Sequence, residues 1–371
     1  MNMTVDSYIL KKQLQTISRV LAPNPIYSIL EDFLFIVVGS TLEVIASDLD
    51  ISMRARLDVE ADTDGRIAIP SKILMDTLAQ LPRETITFQI DLEKPFVQIN
   101  TSFGEYQIVG DSAEDFPKMP EPDEVNTFTL SSSQLTEAIQ KTLFATGRDT
   151  LRTVFTGVLM EFEPGVVNFV ATDAQKLSRY TIKEEQLELK TAFVVPAKGL
   201  KVLQRALVNN HGAVQIAYDK ARVFFSFQRQ QIACQLIDEK YPDYRSVFPK
   251  EKGGTMTIQR GDLLNSLKRL SVFCNRNTNQ ITFNIKSDAL TIEARDKEKF
   301  NKGKESLSCS YEREAMQISF NVNTLLNMLQ VLDEGKVHLE MTKPNRPGVF
   351  TMDDPPKGED VTMLVMPIQG G

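Results

Sequence analysis

The sequence predicts an α+β protein in which one domain of about 125 residues is written three times. Three observations carry that reading. Ala-x-Asp follows a run of alternating apolar residues at Ala46-Ser47-Asp48, Ala171-Thr172-Asp173 and Ala294-Arg295-Asp296, with the aspartates 125 and 123 residues apart. An apolar residue precedes a proline at Phe116-Pro117, Tyr241-Pro242 and Met366-Pro367, with the prolines 125 apart each time. Ile69-Pro70-Ser71-Lys72 and Val195-Pro196-Ala197-Lys198 open two helical patterns 126 residues apart, and Val322 holds the third equivalent place. Solenoid modules repeat every ~20–50 residues, whereas a unit of this size can enclose its own core. The copies are therefore domains, at 1–124, 125–250 and 251–371.

Each copy reads as strands interrupted by two amphipathic helices. In the first, Leu10, Leu14 and Ile17 share a helical stripe within 7–20, with Lys11, Lys12 and Arg19 off it. Strand patterns follow at Phe33–Val38, Thr41–Ala46, Ile51–Leu57 and Ile67–Ile69. Pro70 and Ser71 signal the start of a second helix carrying Ile73, Leu74, Leu78 and Leu81. Strands near 85–91, 95–100 and 104–109 complete the copy, and the prolines and charges of 118–124 mark a linker. The second copy places helices at 132–145 (Leu135, Ile139, Leu143) and 197–208 (Leu200, Leu203, Leu207), and 249–254 is the next linker. The third places them near 260–273 (Leu263, Leu264, Leu267, Leu270) and 323–332 (Leu325, Leu326, Leu329).

Composition is that of an ordinary globular chain, with 42% hydrophobic and 25% charged residues in 371. The longest apolar run, Phe33 to Val38, is too short to span a membrane. The opening Met-Asn-Met-Thr-Val-Asp-Ser lacks the basic and apolar regions of a secretory leader. Cys234, Cys274 and Cys309 are scattered without metal-type spacing, which fits a reducing compartment. These features point to the cytoplasm and to no membrane partner.

The net charge of −7 is unevenly distributed. The six helical stretches, taken generously as 7–20, 71–83, 132–148, 197–210, 259–276 and 323–332, hold 14 basic and 3 acidic residues. That is +11 on the helices against −18 elsewhere. Lys and Glu are similarly good helix formers, so propensity does not explain the bias, which points the helices at something anionic.

The local sequences Ala171-Thr172-Asp173-x-x-x-Leu177, Tyr241-Pro242-Asp243-Tyr244-Arg245, Asp115-Phe116-Pro117, Phe320-Asn321-Val322 and Val365-Met366-Pro367 then become specific. With three equal αβ domains and basic helices, the whole chain resembles the β sliding-clamp family, the beta subunit of bacterial DNA polymerase III. The resemblance implies three clamp domains, each with two inner helices and outer antiparallel sheets, in a head-to-tail homodimer forming a closed ring. Twelve helices ~9 Å apart leave a hole of ~25 Å, enough for a duplex roughly 20 Å wide. Tyr106 and Ile108 on one side and Val272 and Phe273 on the other would form the dimer contact. A ring that slides holds phosphates without reading bases, and Lys12, Lys72, Lys141, Arg148, Lys198, Lys201, Arg205, Lys268 and Arg269 are the candidates for that lining. Asn24, Thr153 and Val154 depart from the basic and aromatic residues common in the family at those places.

The resemblance further implies a pocket between the second and third copies that takes short linear motifs of the Gln-Leu-x-Leu-Phe type. Position by position it would comprise Arg152, Phe155, Thr172, Ala174, Gln175, Lys176, Leu177, Pro242, Val247, Thr324, Leu364, Met366 and Ile368. Two apolar anchors gaining ~1.5–3 kcal/mol each give roughly micromolar affinity after ordering costs. Ala174-Gln175-Lys176 stands where the family commonly has Gly-His-Arg, and Lys lacks the bidentate fork of Arg. The implied partners are duplex DNA, the polymerase alpha subunit, an ATP-driven clamp loader, and other polymerases and repair proteins. No cofactor is implied.

Enzymatic chemistry finds little support in the residues. His211 and His338 are the only histidines, neither at metal-ligand spacing, and no phosphate-binding glycine loop or G-x-S-x-G occurs. Asp48, Asp173 and Asp296 recur three times, as a structural turn would, and Asp353-Asp354 sits in a Pro-rich loop. The non-enzymatic alternative is a scaffold that binds peptides without encircling DNA.

Overall fold

The computed structural model describes residues 1–122, 126–185, 187–208 and 210–368. The expected boundary between residues 124 and 125 lies outside them. The first copy runs β1 (Asn2–Asp6), α1 (Ser7–Ile17), a 3-10 turn at Ser28–Glu31, β2 (Asp32–Val38), β3 (Thr41–Ser47), β4 (Ile51–Asp58), β5 (Glu60–Ala61), β6 (Gly65–Pro70), α2 (Ser71–Gln80), β7 (Thr85–Asp91), β8 (Phe96–Asn100) and β9 (Glu105–Val109). The second repeats the order: β10 (Asn126–Ser131), α3 (Ser132–Leu143), a 3-10 turn at Thr153–Thr156, β11 (Gly157–Glu163), β12 (Val166–Thr172), β13 (Lys176–Lys183), β14 (Thr191–Pro196), α4 (Ala197–Ala206), β15 (Ala213–Tyr218), β16 (Arg222–Phe227) and β17 (Gln230–Gln235). After a 3-10 turn at Tyr244–Val247, the third has β18 (Gly254–Gln259), α5 (Arg260–Ser271), β19 (Gln280–Ile285), β20 (Ala289–Asp296), β21 (Asn301–Ser308), β22 (Ser310–Tyr311), β23 (Met316–Asn321), α6 (Val322–Val331), β24 (Lys336–Met341), β25 (Gly348–Met352) and β26 (Glu359–Val365).

The helices form where the apolar spacing places them, and their ends follow local chemistry. In α1, Leu10, Leu14 and Ile17 are fully buried, each gaining roughly 1.5–3 kcal/mol over exposure. Asp6 caps it by accepting from the amides of Tyr8 and Ile9. The helix stops at Ile17 rather than 20, where the Val20 amide bonds back to the Ile17 carbonyl in a tighter turn. In the third copy Asn321 caps α6 through the amides of Asn323 and Thr324, so Asn321, rather than Val322, stands where the other copies have proline.

Contacts group the chain into two units that cut across the copies. Unit 1 (residues 1–135 and 198–236) holds the five-stranded sheet β5-β1-β7-β8-β9 and the eight-stranded sheet β10-β15-β16-β17-β4-β3-β2-β6. Phe33, Phe35, Phe88, Phe224 and Phe225 fill its core. Unit 2 (residues 136–197 and 237–371) holds the nine-stranded sheet β14-β11-β12-β13-β26-β25-β24-β18-β22 and the four-stranded sheet β21-β20-β19-β23, with Phe162, Phe169, Phe283, Phe320 and Phe350 inside. The cause is strand pairing. β17 of the second copy pairs with β4 of the first, Cys234 opposite Ile51, and β26 of the third pairs with β13 of the second, Val365 opposite Lys176.

One landmark of the repeat changes meaning. Pro117 and Pro242 follow β9 and β17 after a loop that carries the chain into the next copy, whereas Pro367 stands two residues beyond β26. Their equal spacing in sequence hides that third difference.

Candidate functional site

The three recurrent aspartates are turn-formers. Asp173 accepts from the amides of Gln175 and Lys176, both at 2.9 Å, and ion-pairs with the Lys176 ammonium. Thr172 Oγ1 donates to the Lys176 carbonyl (2.7 Å) and accepts from the Ala174 amide (3.1 Å), which closes the β12–β13 hairpin. In unit 1, Asp48 accepts from the Ile51 amide (2.7 Å) and Ser47 Oγ from the Leu49 amide (3.2 Å). Asp296 accepts from the amides of Glu298 and Lys299. These turns put Ala174 at φ +73° and Leu49 at φ +79°, a left-handed conformation that an L side chain resists.

Around the β12–β13 hairpin the structure gathers most of the expected docking residues. Leu177 and Leu364 face each other across β13 and β26 and are buried with Val154, Leu159, Val170, Val194 and Tyr244. Together with buried Thr172 they are underlying core rather than exposed surface. Phe155 and Tyr241 pack on that cluster, their rings edge to face with centroids 6.4 Å apart. The Arg152 guanidinium lies over the Phe155 ring at 5.3 Å and bonds Asp149 at 3.0 Å. Exposed apolar surface comes from Val247 and Met366, 46% and 38% exposed. The Met366 amide donates to the Gln175 carbonyl (2.9 Å), which fixes the strand's end against the hairpin tip, where Ala174 and Gln175 are exposed. Pro242 is exposed two residues before Tyr244. Thr324 and Ile368 stand outside the buried cluster, Thr324 in the first turn of α6 and Ile368 with its amide on the Ser319 carbonyl.

Sequence reading missed what holds this site. Glu161 on β11 accepts from the Tyr244 hydroxyl (2.7 Å) and from both terminal nitrogens of Arg245 (3.1 and 2.8 Å). It thereby pins the 3-10 turn that carries Val247. Burial and the Glu161 carboxylate push the Tyr244 phenol well above its ordinary range. The Tyr-Pro-Asp-Tyr-Arg motif contained Tyr241, Tyr244 and Arg245, whereas nothing in the sequence marked Glu161.

The basic residues divide. Lys12, Lys72, Arg148, Lys201, Arg205 and Lys268 are exposed, Lys12 with its ammonium 4.5 Å from the Tyr8 ring centroid. Lys198 is exposed but ion-paired with Asp48, and Arg269 forms a two-pronged pair with Glu305 at 2.8 and 2.6 Å. Lys141 corrects the expected lining. It is 1% exposed, bonds Asp333 at 2.5 Å and lies 3.4 Å from Glu137, so its charge is spent inside unit 2. The helix bias also shrinks. Within the observed bounds the helices carry ten basic and three acidic residues, because Arg19, Arg83, Arg148 and Arg276 fall beyond their ends. Of the departures, Asn24 is exposed, the Thr153 hydroxyl bonds Glu239, and Val154 belongs to the buried cluster.

Tyr106, Val272 and Phe273 are 37%, 77% and 40% exposed. Ile108 is 3% exposed, because alternation along β9 turns it toward the sheet's own core opposite Val97, so its side chain is not available to a partner. Burial pushes the Cys234 and Cys274 thiols up to about 12 and 11, away from nucleophilic character. His338 sits between Thr257 and Asp353 on the third copy's sheet. Among the described residues no group of three or more His, Cys, Asp or Glu is placed to hold a metal ion.

Comparison with known proteins matches this arrangement end to end. Three family models fit in tandem: DNA polymerase III beta subunit, N-terminal domain over residues 1–120, central domain over 129–243 and C-terminal domain over 245–369. Curated relatives named beta sliding clamp include one from Synechocystis sp., 27% identical over 97% of both chains, and one from Pseudomonas putida, 26% identical over the full length of both. The crystal structure of the DNA polymerase III subunit beta from Pseudomonas aeruginosa superposes with a TM-score of 0.94 at 25% identity, covering 100% of both chains. The sliding clamp from Bacillus subtilis, 22% identical, gives the same TM-score over 100% of both chains and supports the fold alone. With all three of its domain models in order along one chain, this protein belongs to the DNA polymerase III beta subunit family.

Proposed function

We propose that the chain is a DNA sliding clamp: a non-catalytic, homodimeric ring that encircles duplex DNA and tethers the replicative polymerase. The relatives' name supports the activity. The observation that carries the ring is the fate of two strands. Within the chain, β17 finds β4 and β26 finds β13. Their remaining counterparts, β9 and β21, are sheet edges with one neighbour each. Unpaired edges invite another strand, and a second copy supplies the complementary edge at both places. Pairing β9 of one copy with β21 of its partner is a head-to-tail contact that two copies close completely. Tyr106 stands on β9, and Phe273, whose ring packs close to Gly303 of β21, would flank the same junction.

Exposed Lys and Arg on the helices would hold phosphates without reading bases, giving weak, salt-sensitive contact suited to sliding. Partners — the polymerase alpha subunit, an ATP-driven clamp loader, other polymerases and repair proteins — would dock linear motifs beside the β12–β13 hairpin. Phe155, Val247 and Met366 would receive the apolar anchors. Met suits several sequences because its unbranched side chain adapts. Titrating a labelled Gln-Leu-x-Leu-Phe peptide tests the site. Micromolar binding to wild type that weakens at least tenfold in Met366→Ala supports it. Wild-type protein that ignores the peptide sinks the docking assignment.

A further inference from the structure

The elements that frame the docking site of unit 2 recur in unit 1, where they enclose an open cavity of ≈ 670 Å³. The 3-10 turn Ser28–Glu31 answers to Thr153–Thr156, Leu49 at the β3–β4 tip to Ala174, and Pro117 to Pro242. The surface there is more apolar than packing requires: Ile26 is 88%, Tyr27 60% and Leu49 49% exposed, and all three line the same cavity. Contiguous exposed apolar groups of this size mark an interaction site more often than a solvated face.

Its charge differs from that of the unit 2 site. Where that site balances Arg152 with Asp149 and Lys176 with Asp173, the charged residues lining this cavity are Asp111 and Asp115, and among the described residues no Lys or Arg lines it. Behind them Asp32 is 3% exposed and its Oδ2 has no hydrogen-bond partner. Asp32 lies against the Asp111 carboxyl, with Glu31 also nearby. The exposed Asp111 carboxylate, crowded by Asp32, has no ion-pair partner among the described residues, and neither has Asp115, so a cation from outside would suit both. Two bases of the same unit are engaged elsewhere, Lys198 with Asp48 and Arg66 with Glu114.

We propose that this cavity is a second docking site, selective for a linear peptide that sets Arg or Lys beside a large apolar side chain. The apolar anchor would rest on Ile26, Tyr27 and Leu49, and the cation would reach Asp111 and Asp115. Arg fits best, because its planar fork can bridge two carboxylates. Such a site would let one clamp discriminate between partners by whether a cation stands beside their apolar anchor. It does not depend on the docking assignment in unit 2.

The probe is fluorescein-labelled Gly-Arg-Leu-Phe-Arg-Gly, titrated by anisotropy against the full chain. The controls are the acid-swapped Gly-Asp-Leu-Phe-Asp-Gly, the double variant Ile26→Ser/Leu49→Gly and Met366→Ala. Both residues of the double variant are exposed, and glycine suits the left-handed backbone at 49, so folding is retained. The expected result is saturable binding of the basic peptide only, weakened at least tenfold by the double variant and less than twofold by Met366→Ala. Equal binding of the acid-swapped peptide, an unchanged double variant, loss in Met366→Ala instead, or no binding by wild type at 1 mM peptide would each overturn it.

Discussion

Replacing Glu161 with alanine should loosen the turn that carries Val247 without touching any surface a partner meets. The Tyr244 hydroxyl donates to Glu161 at 2.7 Å, and the tyrosine is 4% exposed, so water cannot substitute for the lost acceptor. A buried hydrogen bond to a charged acceptor contributes ~1.5–3 kcal/mol. Arg245 adds two more contacts, but its side chain is 48% exposed, so that pair contributes under ~1 kcal/mol. Glu161→Ala should therefore cost roughly 2–3 kcal/mol, and Tyr244→Phe about 1 kcal/mol. The double variant should cost ~1–2 kcal/mol less than the sum, because the second change removes the donor that the first left stranded. Urea unfolding followed through the transition that reports unit 2 measures all three, since a chain of two units need not unfold in one step. Peptide affinity should fall severalfold in Glu161→Ala. Additive single effects, or a Glu161→Ala protein within ~0.5 kcal/mol of wild type, would refute the reasoning.

Three further outcomes follow from particular residues. Ala174→Gly should stabilise by up to ~1 kcal/mol in urea midpoint, since it removes the strain of φ +73° at some cost in unfolded-chain entropy. Burial and then the Asp111 carboxyl raise Asp32 from 3.8 to about 7, so the folded state keeps a proton that the unfolded chain releases. That contribution is complete below pH 3.8 and is lost as pH rises through about 7, a fall of up to roughly 4 kcal/mol that Asp32→Asn should flatten in unfolding measured across that range. Lys201→Glu and Arg205→Glu should each weaken duplex binding and lower the slope of log K against log salt by about 1. Lys141→Met should leave that slope alone, because its ammonium is bound to Asp333.

Much of the fold was legible because the core is periodic. The Leu10-Leu14-Ile17 stripe and the apolar strand patterns at 33–38 and 41–46 fix helices and strands through burial, and their repetition revealed the three copies. Pairing between copies left no such trace. Nothing local in β17 says that its neighbour is β4, which is why the contact units cut across the repeats. Exposure at a site was harder still. Lys141 looks like any helix lysine until Asp333, 192 residues away, is seen to hold it, and Ile108 shares a face of β9 with Tyr106 yet is 3% exposed against 37%, a difference of depth along one strand that alternation does not mark. The acidic cavity of unit 1 was invisible for the same reason, since Leu49, Asp111 and Pro117 meet only in the folded chain.

The claim that most needs testing is encirclement. The protein would be loaded onto a nicked circular plasmid by an ATP-driven clamp loader, freed of unbound chains by gel filtration, and followed before and after a single restriction cut. A closed head-to-tail ring predicts stable co-elution with the circle and loss by sliding once the DNA is linear. Retention on linear DNA equal to that on the circle, or no topological retention by a protein that is dimeric in solution, would contradict the account.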